Sequence, residues 1–377
     1  MRWKRSLAAS WVWPRKTRFS TLFRRNRPGN RKGLTLTAPA KEAVAASRVV
    51  VIKATPGDWR VDEELGWDLA GSGEHLYLFV EKENLNTLDV ARGLARHFAV
   101  SIDAIGYAGL KDKHAITRQW FSIPTANLIT DVEQAAPAMT QVVGGATTKA
   151  DSTVARASCL RVGRHSKKLR RGRHAMNHFR IVLRSSVLPS DVELTALQAP
   201  FPNIFGPQRL GGENISQALR WLANRRDRRV SAQRKSWHLS VLRSHLFNQI
   251  AAHRLSQHIG IEGVDGDVRI DGETQGPLWG RGRSAAQGAA LRLQQQALVG
   301  LEAVCEQLEY AGVVQGLRPF WVTPVDLQLA ESVASSATIA SPYTDLPQAI
   351  TLSFGLRPGA YATAFLKQHF AVEDDSL

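Results

Sequence analysis

Sulfur is scarce in this chain. Its 377 residues include two cysteines, Cys159 and Cys305, with no CxxC pair and no Cys/His cluster at zinc spacing. That leaves no basis for a disulfide framework or a structural zinc site, and it fits a reducing compartment, so the cytoplasm is the expected location. No segment approaches the roughly 20 consecutive apolar residues that cross a bilayer, so no membrane association is expected. The sequence has no Walker loop, no GxGxxG after a strand, no HExxH and no GxSxG. ATP hydrolysis, dinucleotide binding, zinc proteolysis and serine hydrolysis therefore lack their usual residues. The eleven histidines fall at no metal-ligand spacing. Neither a metal nor a cofactor is expected.

Acidic residues are absent from one region in particular. Residues 1–41 hold twelve of the 49 Lys and Arg and none of the 33 Asp and Glu, so most of the formal +16 charge belongs to this tail. The rest of the chain is close to balanced, and a phosphate-binding surface there must come from clustering of basic groups. Pro14, Pro28 and Gly29 interrupt the tail, and it has no apolar stretch of secretory type. Three readings stay open for residues 1–47: an extension of little consequence, an organelle transit peptide, or a disordered arm that touches RNA phosphates.

What is present is ordinary for a globular protein: 44% hydrophobic and 22% charged residues, in a chain long enough for two domains. Val49–Ile52 and His75–Glu81 read as strands, and Leu88, Ala91, Leu94, Ala95 and Phe98 recur at helical spacing with Thr87 as a candidate N-cap. Ala104–Tyr107 and Ala115–Ile123 read as strands around a tight Gly109–Lys113 loop. Phe179–Arg184 alternates as a half-exposed strand does, and Ala349–Leu356 supplies a further strand. Between them, Val241–Leu255 and Ala285–Tyr310 read as helices, and Ala334–Pro347 as a loop. A helical stretch between β-rich halves predicts an α+β protein with an inserted domain.

Two segments carry chemistry. In GYAGLKDKHAITRQW, residues 106–120, Asp112 lies between Lys111 and Lys113 in a Gly-containing loop. Cations beside a carboxylate favour its charged form, as a carboxylate nucleophile requires. On spacing alone the commoner meaning of Lys-Asp-Lys in a turn is a solvated loop, and a loop histidine such as His114 is more often a polar neighbour than a substrate ligand. The second segment, Arg161–His174, has seven Lys and Arg and no acid in fourteen residues. It predicts an extended arm or loop along the sheet that meets phosphates, or equally a solvated charged loop.

The segment GYAGLKDKHAITRQW closely resembles the catalytic segment of the tRNA pseudouridine synthase D (TruD) family. Further landmarks of that family follow in order: GDWRVDEELGWDLAGSGEHL at 57–76, RHSKKLRRG at 164–172, NHFRIVLR at 177–184, PNIFGPQRLGGENISQALRWL at 202–222 and RPGAYATAFL at 357–366. The resemblance spans roughly residues 48–370. It implies a pseudouridine synthase catalytic domain around a mixed β-sheet, formed by residues 48–199 and 323–377. It also implies an inserted α+β domain at 200–322, with RNA in the cleft between the two. The implied reaction isomerises uridine to pseudouridine, at position 13 of tRNA, without cofactor or metal and in a monomer.

On matching positions Asp112 takes the nucleophile's role, whether it attacks C6 or C1′ or starts a glycal route. Trp59, Asn177 and Tyr361 map onto uridine-contacting residues, the aromatics supplying ring faces for an unstacked base and Asn177 reading the uracil edge. The family more often has Phe at both aromatic positions. Tyr361 therefore adds a hydroxyl near the base that could shuttle the C5 proton. Lys111, Lys113, Arg164, His165, Lys167, Lys168, Arg170, Gln208 and Arg209 are the candidate RNA contacts. Phe205, Gln208 and Arg209 recur at the junction with the insert. The runner-up is a catalytically idle RNA-binding protein of the same fold. A carboxylate in an RNA cleft argues against it, because negative charge there repels phosphates.

Overall fold

The computed structural model describes residues 48–124, 155–224, 230–333, 346 and 348–374. Its frame is a ten-stranded mixed sheet. The first half supplies β1 (Val49–Ile52), β2 (Trp59–Glu64), β3 (His75–Glu83), helix α1 (Thr87–His97), β4 (Gly106–Tyr107), β5 (Ile116–Pro124), β6 (Arg156–His165) and β7 (Met176–Ser185). The last part of the chain adds β13 (Val325–Val333), β14 (Gln348–Leu356), helix α8 (Ala362–His369) and β15 (Ala371–Asp374). The strand order is β13-β14-β7-β2-β5-β3-β6, with β1 joining β7 and β15, and β4 joining β5. Two pairings are parallel, β2 with β5 and β1 with β15; the others are antiparallel.

One face of the sheet is apolar because the strands alternate in step. Trp59 and Val61 of β2, Ile181 and Leu183 of β7, and Leu352, Phe354 and Leu356 of β14 point the same way and pack on Phe365, Leu366 and Phe370 at α8. Phe179 and Phe354 stack at 5.4 Å across the β7–β14 ladder. Further along, Leu76, Leu78 and Val80 meet Val90, Ala91, Leu94 and Ala95 of α1. The helix starts one residue earlier than the sequence suggested. Asn86, not Thr87, is its N-cap, with Asp89 closing a capping box. Thr87 lies inside the first turn, which frees its hydroxyl for other contacts.

Between the two halves lie helix α2 (Asp191–Ala196), β8 (Phe201–Pro202), α3 (Pro207–Leu210), α4 (Asn214–Ala223), α5 (Ala232–Ser256), β9 (Val268–Ile270), β10 (Glu273–Leu278), α6 (Gly288–Ala297), α7 (Glu302–Tyr310), β11 (Gly316–Pro319) and β12 (Trp321–Val322). The helix expected over Ala285–Tyr310 is two helices. Gly300 at φ +83°, a left-handed conformation that suits glycine, lies in the break between them. The strand expected over Ala104–Tyr107 shrinks to two residues, since Ile102–Ala104 forms a 3-10 turn. The long helix, by contrast, extends well beyond Val241–Leu255. Most of the expected loop at Ala334–Pro347, and the tail at 1–47, lie outside the described residues.

This middle segment has a core of its own, built from Trp221, Leu242, Leu246, Phe247, Ile250, Cys305, Leu308 and Phe320. A three-stranded sheet, β11-β10-β9, packs beside α5. Where the segment leaves and returns, Phe201–Pro202 and Trp321–Val322 pair antiparallel and tie its two ends together. Arg318 secures the same neck. Its guanidinium donates to the Asn203 carbonyl at 2.9 Å and the Gly359 carbonyl at 2.9 Å, and lies 4.0 Å from the Phe205 ring. Burial pulls its pKa down to about 10.

Candidate active site

The cleft between the main sheet and the middle segment has a volume of about 490 Å³. It brings together Trp59, Lys111, Asp112, Asn177, Gln208, Arg209 and Tyr361 from opposite ends of the sequence. Trp59, Asn177 and Phe179 reach it from β2 and β7, Asp112 from the β4–β5 loop, Gln208 and Arg209 from α3, and Tyr361 from the cap of α8.

The loop holding Asp112 is clamped by buried polar groups. Thr87 donates its hydroxyl proton to Gln119 Oε1 at 2.8 Å and accepts the Lys111 amide at 2.9 Å. Gln119 donates on to the Gly109 carbonyl at 3.3 Å. Lys82, 1% exposed, donates to the backbone carbonyl of Asp112 itself at 2.6 Å. Burial lowers the Lys82 ammonium to a pKa of about 8, against the raising influence of the Asp112 carboxylate. Gly106 enters the loop where a Cβ would lie 2.3 Å from Ser122 Oγ and 2.5 Å from the Leu169 carbonyl, so a side chain is sterically excluded there.

The carboxylate of Asp112 is 30% exposed and faces the cleft. Lys53 Nζ lies 3.6 Å from its Oδ2, and Gln208 donates to its Oδ1 at 3.2 Å. Lys53 is itself buried, 4.8 Å from the Trp59 ring and 3.0 Å from Asp374. The sequence had suggested cations from Lys111 and Lys113, and here the structure differs. Lys111 turns away, because its ammonium pairs with Glu63 at 2.8 Å and donates to Asn177 Oδ1 at 2.7 Å. Lys113 is exposed to solvent. The charge beside Asp112 comes instead from Lys53, about 60 residues upstream, and from the buried Lys82.

Asn177 keeps part of its hydrogen-bonding capacity. Its oxygen accepts from Lys111, and its amide donates to His174 Nε2 at 3.1 Å, leaving one N–H and one lone pair. Burial depresses the His174 pKa, in keeping with a neutral ring that accepts there. Trp59 is only 2% exposed, edge-on to Phe179 at 6.3 Å, because it begins β2 on the core-facing side. The half-buried Phe179 and Tyr361 present more ring surface to the cleft. Tyr361 packs edge-on against Phe205 at 5.9 Å.

The basic segment divides between two places. Arg171 lines the cleft, its guanidinium 4.1 Å from the Tyr107 ring. Arg164 and His165 end β6 at the far edge of the sheet, where His165 packs on Trp67 at 4.6 Å. Lys167 and Arg170 are exposed, and Lys168 donates to the Asp103 carbonyl. Sequence reasoning passed over Lys53, Glu63, Lys82, Gln119, His174 and Trp237. For Lys82 a signal existed. It follows Leu76, Leu78 and Val80 on the inward face of its strand, where a charge is unusual without a purpose.

A crystal structure from Methanosarcina mazei, of a chain provisionally named tRNA pseudouridine synthase D (TruD), superposes with a TM-score of 0.59. It covers 87% of this chain and 94% of that one at 18% identity. The architecture is thus one already seen in a chain given a pseudouridine synthase name. The sequence comparison goes further: the family model "tRNA pseudouridine synthase D (TruD)" matches residues 47–219. Curated proteins named tRNA pseudouridine synthase D are 35% identical over 84% of this chain and 90% of theirs in Methylococcus capsulatus, and 34% identical over 86% and 90% in Cellvibrio japonicus. The chain belongs to the tRNA pseudouridine synthase D family.

Proposed function

We propose that this chain is an isomerase that converts uridine to pseudouridine in tRNA, at position 13, with Asp112 as its nucleophile and no cofactor. The observation that carries the proposal is the Asp112 carboxylate. It is the anionic group of the cleft, it is partly open to a ligand, and its two oxygens are held by Gln208 from the cleft wall and by Lys53 from the buried interior. A preorganised carboxylate aimed into a pocket suits covalent attack or proton abstraction on a flipped nucleotide, and binding alone has no use for it.

In this reading the uridine leaves its stack and enters between the sheet and residues 200–322, which act as an inserted domain. Tyr361 and Phe179 offer ring faces to the base, and Trp59 backs the pocket floor. Asn177 uses its free N–H and lone pair on the uracil edge. The N1–C1′ glycosidic bond breaks with Asp112 engaged, the uracil rotates, C5 joins C1′ as Asp112 is released, the C5 proton departs, and N1 takes up a proton. Arg171 and Arg209 at the rim meet phosphates. We assign the monomeric chain to the cytoplasm, where its tRNA substrate resides; among the described residues no helix is long and apolar enough to cross a membrane.

The test is tritium release from tRNA carrying 5-labelled uridine. Wild type should release tritium, and Asp112→Asn should release none while still binding the tRNA. No release by wild type on any tRNA would reject the proposal in favour of an RNA-binding protein. Release by Asp112→Asn would reject the nucleophile.

A further inference from the structure

Opposite the Asp112 loop, the wall of the cleft carries an aromatic side chain with little packing to do. Trp237, near the start of α5, lines the cleft and keeps 38% of its surface exposed; it is the one exposed tryptophan among the described residues. Its neighbours in sequence turn inward. His238 stacks on Trp221 at 5.3 Å, and Leu239 is buried in the middle core. Trp237 is thus directed to the cleft by the helix that anchors it.

A cation sits over this ring. The Arg209 guanidinium lies 5.7 Å from the Trp237 ring and 5.2 Å from the Phe205 ring, and it donates to Ser240 Oγ. The residue before it, Gln208, is the one that holds Asp112. An indole that keeps 38% of its surface exposed, with a guanidinium over its ring and one residue away from the nucleophile's own partner, matches the two parts of a nucleotide. The ring can stack on any base, and the cation can meet a phosphate. Flipping one nucleotide out of a strand strips its neighbour of a stacking partner, and a fixed aromatic can replace that partner.

We infer that Trp237 and Arg209 form a second nucleotide subsite, which takes the base and phosphate of a nucleotide adjacent to the reacting uridine. The inference rests on the function proposed above. Because every base has a π-face, the subsite requires that a base be present and is indifferent to which base it is.

The experiment uses the full chain and a tRNA assembled with an abasic ribose next to the reacting uridine, on the 5′ side in one molecule and the 3′ side in another. Tritium release gives KM and kcat, and equilibrium binding of the same RNAs gives Kd. For wild type, one of the two abasic tRNAs should raise KM about tenfold with kcat nearly unchanged, as expected for one lost stacking contact. Trp237→Ala should raise KM about equally on intact tRNA and should no longer distinguish intact from abasic. Trp237→Phe should stay within about threefold of wild type, since a phenyl ring also stacks. The subsite is overturned if Trp237→Ala leaves KM unchanged, if that variant keeps the full abasic penalty, or if Trp237→Phe is as impaired as Trp237→Ala. Should wild type release no tritium from any tRNA, the isomerase reading fails alone, because Kd for intact against abasic RNA still reports the subsite. Equal Kd for all three RNAs rejects the subsite and leaves the isomerase reading standing.

Discussion

Removing the Lys111 ammonium should destabilise the chain far more than a loop lysine ordinarily would. Lys111 Nζ lies 2.8 Å from Glu63 Oε2, with side-chain exposures of 5% and 0%. Coulomb attraction at that distance is roughly 6 kcal/mol with an effective dielectric constant near 20, and desolvation of the two ions offsets most of it. The pair as a whole contributes little net stability, but one member left alone is costly. In Lys111→Met, Glu63 would keep a single hydrogen bond, from the Trp120 amide at 3.1 Å, around an otherwise uncompensated buried charge.

The expected loss is about 3–5 kcal/mol, which shifts the melting of the main-sheet unit by something of the order of 10 °C. Differential scanning calorimetry is the suitable assay, because a chain with two cores can melt in two steps. Adding Glu63→Gln should recover most of the loss: a neutral amide oxygen still accepts from Trp120 and carries no charge. The double-mutant cycle should therefore show a coupling of at least about 2 kcal/mol, well above the few tenths expected for independent sites. A Lys111→Met loss under about 1 kcal/mol, or additive effects in the cycle, would refute the claim that Glu63 depends on Lys111 to compensate its buried charge.

Three further outcomes are expected. Lys82 has a folded pKa of about 8 against an unfolded value of 10.5, so between those pH values the unfolded chain binds more protons and wild-type stability rises with pH relative to Lys82→Met; parallel stability–pH curves for the two proteins, from urea unfolding, would contradict the assignment. Gly106→Ala should lose about 2 kcal/mol or more and much of its turnover, because a methyl group 2.5 Å from the Leu169 carbonyl forces the loop to shift; thermal melts and tritium release together read both effects. Tyr361→Phe keeps the ring and removes the hydroxyl, so a fall in kcat with KM unchanged would mark the phenol as a proton carrier, and unchanged turnover would dismiss that role.

The sequence by itself determined the frame of this protein. Alternation in Phe179–Arg184 marked one central strand, because a side-chain period of two is visible without knowing the partner strand, and Ala349–Leu356 was legible as another. The helical spacing after Asn86 marked α1 for the same local reason. Collinear landmarks around Asp112, Asn177 and Tyr361 pointed to residues that the fold does bring to one cleft.

What only the tertiary structure decided is which charges meet. Lys111, adjacent to Asp112 in sequence, points into the sheet, while Lys53 and Gln208, about 60 and 96 residues away, hold the carboxylate. Similarly, Trp59 bears an aromatic ring in a family landmark, but its place at the core-facing start of β2 covers all but 2% of it. Sequence order records neighbours along the backbone, whereas an ion pair or an exposed ring face depends on side-chain direction and on elements that pack only once the chain has folded. Trp237 and Arg209 likewise became neighbours only because α3 and α5 pack on one core.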